Sequence, residues 1–305
     1  MKASFLGLGD LGVSPSRSGK VRETLDLGDT LLIVTTDRIS AFDCILPTPI
    51  PGKGKLLNRI SAHWFRGLSS HVATHFVSDG ESDFPAELRH ILPSLRDRWM
   101  LVRKALRIPV ECVVRGHLAG SGLREYAQKG TVGGIEVAPG IEPYGKLPAP
   151  LFTPTTKEDV GHDRPVSFEE LEEIVGAGLA AELRRISLRI FELAEPFAAA
   201  RGLTLVDTKF EFGWIDGKLT LIDEVLTPDS SRYWDAERPA AGAPVSLDKE
   251  FVREHLMGTA WDRNPPAPPL PQEIIEETFR RYQRVHDRIG AGGSAPELGR
   301  GRSSE

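Results

Sequence analysis

Between Val206 and Phe212 the chain alternates. Val206, Thr208, Phe210 and Phe212 fall on one side of an extended segment, and Asp207, Lys209 and Glu211 on the other. Asp216-Gly217 is a turn signal, and LTLIDE (219–224) reads as the returning strand of a hairpin. A two-residue loop there pairs Glu211 with Ile222 and turns Asp223 to the phenylalanine side. One extra residue, or a bulge, brings Asp223 opposite Glu211 instead, because a one-residue slip flips every side chain. A cation shared by the two carboxylates therefore predicts an odd loop or a bulge between Gly213 and Leu219.

Elsewhere the pattern predicts a hairpin of Lys20–Asp26 and Thr30–Thr36 around Leu27-Gly28-Asp29. Asp37–Lys55 is rich in Pro and Gly and reads as a long functional loop. Leu56–Leu68 and Phe84–Leu95 read as helices, and Trp99–Leu106 and Val110–Arg115 as strands separated by Ile108-Pro109. A helix is expected over Leu118–Gln128, then irregular chain over Gly130–Pro154. Ser167 with Glu170 three residues on is a capping box, opening a helix to about Ala200. Leu247–Met257 and Ile274–Ile289 read as further helices, joined by the stiff Pro-rich run 264–272. Residues 1–18 read as a loose arm and 290–305 as a disordered tail.

The chain has 305 residues, 40% hydrophobic and 27% charged, as in ordinary soluble globular proteins. The net charge of −5 provides no global positive field, which argues against nucleic acid or an anionic membrane as partner. No apolar run reaches the roughly 18–20 residues of a membrane helix. The N-terminus lacks the apolar core of a signal peptide. Cys44 and Cys112 stand apart in apolar surroundings, which fits a reducing cytoplasm better than a disulfide framework. Cys112 reads as a core residue, since no cation beside it in sequence would activate it.

The carboxylates of the 206–224 hairpin, set around Lys209, suit a hard cation such as Mg²⁺, which takes oxygen ligands and keeps substrate phosphates as partners. A solvated outer sheet face has the same pattern. Ser18-Gly19-Lys20-Val21 is not a Walker loop; a glycine turn there would place Lys20 and Arg22 on one face, aimed at phosphates, and a surface strand with two solvated cations has the same pattern. Gly7-x-Gly9-x-x-Gly12 lacks the strand before it and the helix after it that a dinucleotide fingerprint needs. In Val110–Tyr126, Arg115 ends a strand and Ser121 opens a helix, an arrangement suited to an anion and equally that of an ordinary strand-to-helix junction. The loop Thr153–Asp163 gathers hydroxyls, Lys157 and His162, and a solvated connector is its plain alternative. His71 and His75 have helical spacing but no third ligand for zinc.

Singly these motifs are weak; their order is specific. GKVRE (19–23), TTDRISAFD (35–43), GKGKLLNRIS (52–61), IPVECVVRGHLAGSGLREY (108–126), FTPTTKED (152–159), DTKFEFG (207–213) and DEVLTPDSSRYWD (223–235) together resemble the SAICAR synthetase family over about residues 17–263. The resemblance implies the reaction ATP + CAIR + L-aspartate → SAICAR + ADP + phosphate in de novo purine synthesis, through an acyl phosphate. It implies an α+β fold: a small antiparallel ATP-binding lobe (19–107) and a larger sheet-and-helix lobe for substrate and metal (108–263). The cleft between them is similar to those of kinases and ATP-grasp enzymes. A connector and helix (264–289) follow. Gly19, Lys20, Arg22 and Lys209 would meet ATP phosphates, with Lys20 and Lys209 catalytic. Backbone near Arg103 and Arg107 would hold adenine, and Glu211 and Asp223 would ligate Mg²⁺. Arg115, Ser121, Asp229, Arg232 and Lys249 would hold CAIR. Asp37, Ser40, Asp43, Thr155 and Lys157 would serve the aspartate side. Arg164 stands where the family often has Glu. The implied partners are small molecules, and the implied assembly a monomer or small homo-oligomer. A small-molecule kinase would share Lys20, Glu211 and Asp223 without needing the Arg115/Ser121 and Asp229/Arg232 pairs. A non-catalytic binding protein would bind without turnover.

Overall fold

The computed structural model describes residues 4–157, 164–237, 242–291, 293 and 295–299. The fold is α+β, built on two antiparallel sheets. In chain order the strands of the first half are β1 (Arg17–Ser18), β2 (Arg22–Asp26), β3 (Thr30–Thr35), β4 (Ser40–Ala41), β5 (Cys44–Ile45), β6 (Phe76–Ser78) and β7 (Trp99–Arg103). The second half adds β8 (Leu106–His117), β9 (Thr131–Val132), β10 (Ile135–Glu136), β11 (Lys146–Phe152), β12 (Thr155–Thr156), β13 (Leu203–Ile215), β14 (Lys218–Ile222) and β15 (Ser231–Asp235). The first sheet runs β1-β2-β3-β7-β6 and the second β11-β8-β13-β14, with β12 also on β8 and β15 also on β13. Among the described residues seven α-helices accompany them: α1 (Lys53–Leu68), α2 (Leu92–Leu95), α3 (Gly120–Lys129), α4 (Phe168–Val175), α5 (Ala177–Ala199), α6 (Glu250–Met257) and α7 (Gln272–Ile289).

The expected β2–β3 hairpin forms, and β8 and β13 pair at the centre of the second sheet. Pro109 does not split a strand. β8 runs through it because its pairing with β13 is irregular between Glu111 and Arg107, and a bulge tolerates a residue without an N–H. The boundary drawn between 107 and 108 thus falls inside β8. One core cluster also spans both sheets, joining Ile33, Met100 and Val102 to Val110, Phe210 and Leu221. The backbones meet directly where Leu221 N–H donates to Ala73 and His75 N–H donates to Leu221.

Other expectations are corrected. The capping box at Ser167 and Glu170 forms, but the helix stops at Val175 because Gly176 takes φ 88°, and α5 restarts after it. The helix expected over Phe84–Leu95 is a 3-10 turn at Ala86–Ile91 followed by the four residues of α2. Gly130–Pro154 contains the β9–β10 hairpin and edge strand β11, whose Pro148 and Pro150 sit where the pairing with β8 is irregular. The loop Asp37–Lys55 holds the β4–β5 hairpin. The arm over 1–18 is not loose in its described part: Phe5 and Leu8 are buried, and Leu8 N–H donates to Glu23. The tail is not free throughout either. Ala291 is buried, and Pro296 packs so close to Gly67 of α1 that a Cβ there would lie 2.2 Å from its ring.

Candidate active site

The two sheets face one another across a cleft of about 910 Å³. One wall is strand β13, whose residues Asp207, Lys209 and Glu211 point into it. The opposite lip is the turn at Gly19 and Lys20 with Arg22 of β2.

The β13–β14 turn is a plain two-residue loop: Glu211 pairs with Ile222 and Ile215 with Lys218. The irregularity expected between Gly213 and Leu219 is absent from this hairpin. Asp223 still reaches the cleft, because it leaves β14 in the left-handed region at φ 70°. That conformation redirects the side chain, as a bulge would have done. Asp223 accepts from Arg22 at 2.6 Å, and Glu224 meets the same guanidinium at 3.3 Å. Burial alone would raise the Asp223 carboxyl, but Arg22, Lys157 and Lys209 outweigh it and hold it below the usual range. Glu211 goes the other way: burial, then the nearby Asp223 charge, push it up against the pull of Lys157.

Glu211 pairs across the sheet with Glu111 of β8, so two carboxylates lie side by side. Lys157 reaches Glu211 at 2.9 Å and also pairs with Glu111, while Lys209 reaches Glu111 at 2.6 Å. Glu111 escaped the sequence reading. A charge inside the apolar run Val110–Val114 was the available signal.

A second group lies along the same sheet. Arg115 of β8 and Arg232 of β15 are both register partners of Asp207, one on each side. Asp207 meets Arg232 at 2.6 Å and Arg115 at 3.4 Å. Arg115 also donates to Thr153 at 3.0 Å and to Ser121 of α3 at 3.3 Å. Gly120, at φ 52°, lets the α3 start approach; a Cβ there would lie 2.4 Å from the Arg232 guanidinium.

Asp229 forms the third group. Its Oδ2 lies 3.0 Å from Lys53 and 3.9 Å from Lys249, and its Oδ1 accepts from the Tyr282 hydroxyl at 2.7 Å. Burial would raise this carboxyl, but Lys249 and Lys53 hold it well below the usual range. Burial pushes the Lys249 ammonium down to about 8, with Asp229 opposing. Lys53 and Tyr282, both fully buried, were not anticipated from sequence.

A family model described as SAICAR synthetase matches residues 16–268. The chain belongs to the SAICAR synthetase family. Members are ATP-dependent ligases of purine biosynthesis, and this chain is such an enzyme. It is 50% identical over 273 residues to the phosphoribosylaminoimidazole-succinocarboxamide synthase of Syntrophotalea carbinolica, covering 89% of this chain and 92% of that protein. It is 47% identical over 275 residues to that of Thermodesulfovibrio yellowstonii, covering 90% and 94%. Among solved structures, the SAICAR synthase of Saccharomyces cerevisiae complexed with SAICAR superposes with a TM-score of 0.82 at 34% identity, covering 92% of this chain and 95% of that one. A type-2 SAICAR synthetase in complex with ADP gives 0.67 at 25% identity, covering 92% and 99%.

The remaining residues suggested by the family resemblance divide between cleft and core. Lys20, half-exposed, pairs with Asp43, and both line the cleft with Ser40. Arg38 fixes the Gly19-Lys20 turn by donating to the Gly19 and Lys20 carbonyls. Arg103 and Arg107 line the far end, where Arg103 pairs with Asp216. Asp37 and Thr155 do not line the cleft. Thr155 sits on β12 with its hydroxyl buried and without a hydrogen-bond partner among the described residues. Asp37 is fully buried, receives the Phe5 and Gly54 N–H groups and pairs with Arg98 at 3.1 Å. Asp37→Ala strands the Arg98 charge in the core and is expected to cost about 3–5 kcal/mol of stability in a denaturant titration. KM values of the folded fraction should stay unchanged; a selective KM effect would restore Asp37 to the site.

His75 is buried against Phe65 and held neutral, burial driving it down to about 4. No group of three or more His, Cys, Asp or Glu among the described residues is arranged to hold a metal by itself. His162 and Asp163 lie outside the described residues. No helix among the described residues is long and apolar enough to cross a membrane.

Proposed function

We propose that this enzyme joins L-aspartate to the carboxylate of CAIR at the expense of ATP, giving SAICAR, ADP and phosphate through an acyl phosphate. The observation that carries this reading is the layout along β13. Glu211, beside Asp223, lies at one end of a strand face and Asp207, between two arginines, at the other. Four residue steps along the strand set them about 13 Å apart. A span of that length would seat an anionic ribonucleotide between the arginine row and a triphosphate at the acidic end. The relatives' complexes with SAICAR and ADP support the same pairing of ligands.

In this scheme Gly19, Lys20, Arg22 and Lys209 receive the triphosphate, and backbone near Arg103 and Arg107 holds adenine. Glu211 and Asp223 fit Mg²⁺: they are two oxygen donors too few to cage a metal, which suits an ion that keeps phosphate and water ligands. Bound there, the ion would neutralise phosphate charge. Arg115 and Arg232 face the phosphate or carboxylate of CAIR, with Ser121, Asp229 and Lys249 completing its contacts. Ser40, Asp43 and Lys157 remain as the aspartate side; Asp37 and Thr155 do not.

A CAIR carboxylate oxygen attacks the γ-phosphorus and the bond to ADP breaks. Charge on the transferred phosphoryl oxygens is met by Lys20, Arg22 and Lys209. The aspartate amine then attacks the acyl carbon, phosphate leaves with the attacking oxygen, and the amine loses a proton. Little is asked of a protein nucleophile; positioning and charge neutralisation carry the step. The chain works in the cytoplasm in this reading.

ADP release by the purified protein, with each component omitted in turn, tests the assignment. Release requiring ATP, CAIR and L-aspartate together is expected. Release without aspartate would instead mark a kinase. Lys249 adds a pH signature. Its ammonium is kept below about 8 and lost above it. CAIR affinity is therefore expected to fall several-fold from about pH 7 to about pH 9. Lys249→Met should remove that alkaline limb, and an unchanged limb would exclude Lys249 as its source.

A further inference from the structure

Asp229 is gripped from behind by two side chains that do not themselves line the cleft. Lys53 opens α1, and Tyr282 comes from α7, which lies beyond residue 268, the last matched by the family model. We propose that α7 is part of the substrate site. Tyr282 is a positioning residue that fixes the Asp229 carboxylate to receive donor groups of the bound ribonucleotide, its hydroxyls or amine. This rests on the assignment of Asp229 to CAIR.

An ionised carboxylate is acceptor-only, with about four lone-pair directions on two oxygens. Lys53 takes one direction on Oδ2 and Tyr282 one on Oδ1. Donors on both oxygens, from two different helices, fix the carboxylate plane and leave its other lone pairs for a ligand. The carboxylate itself accepts only from donors such as a hydroxyl or an amine, while the arginine row donates to phosphate or carboxylate.

The tyrosine is itself immobilised. Its ring is fully buried against Leu56 and Leu57 of α1. Its helix is locked in register by Arg281, which donates to the Ser246 carbonyl, and by Arg284 and Arg288, which meet the buried Asp235 at 3.1 and 2.9 Å. A helix that served only to cover α1 would need no polar atom aimed at Asp229.

Tyr282→Phe removes the hydroxyl and keeps every ring contact, so the fold is preserved. Calorimetry with CAIR and with Mg-ATP, alongside a melting curve, is run on wild type, Tyr282→Phe and Asp229→Asn. The dissociation constant for CAIR is expected to rise about tenfold in Tyr282→Phe, the loss of one hydrogen bond to a charged group, with that for Mg-ATP unchanged. If Asp229→Asn weakens CAIR binding and Tyr282→Phe does not, the role of Tyr282 is overturned while that of Asp229 stands. If neither variant affects CAIR, the assignment of Asp229 fails and the inference fails with it. Equal weakening of both ligands, or a lowered melting temperature alone, would mark Tyr282 as merely structural and also overturn it.

Discussion

Asp223→Asn is expected to lower kcat by about a hundred- to a thousandfold, the scale seen when one preorganised charged group is removed from a transition state. The substitution isolates charge from shape. Asp223 sits at φ 70°, a conformation that asparagine also tolerates, so the redirected backbone survives. Arg22 loses its partner at 2.6 Å but keeps Glu224 at 3.3 Å, so no cation is stranded. Glu211 remains, and with the Asp223 charge gone one of the influences raising its carboxyl is removed. What is lost is one of the two carboxylates assigned to Mg²⁺ and the anion that orients Arg22. Folding, followed by melting and circular dichroism, should stay close to wild type. Wild-type-like turnover would sink the metal assignment.

Arg232→Ala is expected to raise the KM for CAIR about a hundredfold and to leave that for ATP nearly unchanged. Asp207 sits between two guanidiniums, so removing Arg232 leaves it paired with Arg115. The variant therefore avoids the unpaired buried charge that makes most such deletions unfold a protein. Lysine should rescue poorly, because a point charge does not reproduce the planar fork held against Gly120. A KM effect confined to ATP would reject the assignment of Arg232 to CAIR.

The parts legible in the sequence were those encoded locally. The alternation of Asp207, Lys209 and Glu211 specified a strand face, and that face lines the cleft. Ser167 and Glu170 specified a helix start. Val206 shows where alternation misleads: the β13–β15 pairing shifts between Leu205 and Asp207. Leu205 consequently joins Phe210 and Phe212 in the core, while Val206 packs with Ala119 and Trp234. The position of Asp223 could not be read from strand period, because one left-handed residue redirected it. Lys53 and Tyr282 lie far from Asp229 in sequence, and no local pattern links them. Asp37 illustrates the converse. It lies within a motif of the family resemblance, TTDRISAFD, yet its carboxylate is spent on Arg98 and two backbone N–H groups inside the fold.

The central claim is that the CAIR carboxylate is activated as an acyl phosphate in this cleft. It is tested most directly by a single turnover with CAIR carrying heavy oxygen in that carboxylate. The account predicts that one labelled oxygen leaves with inorganic phosphate in each turnover, because the oxygen that attacked phosphorus departs with it. Phosphate released without label would contradict it.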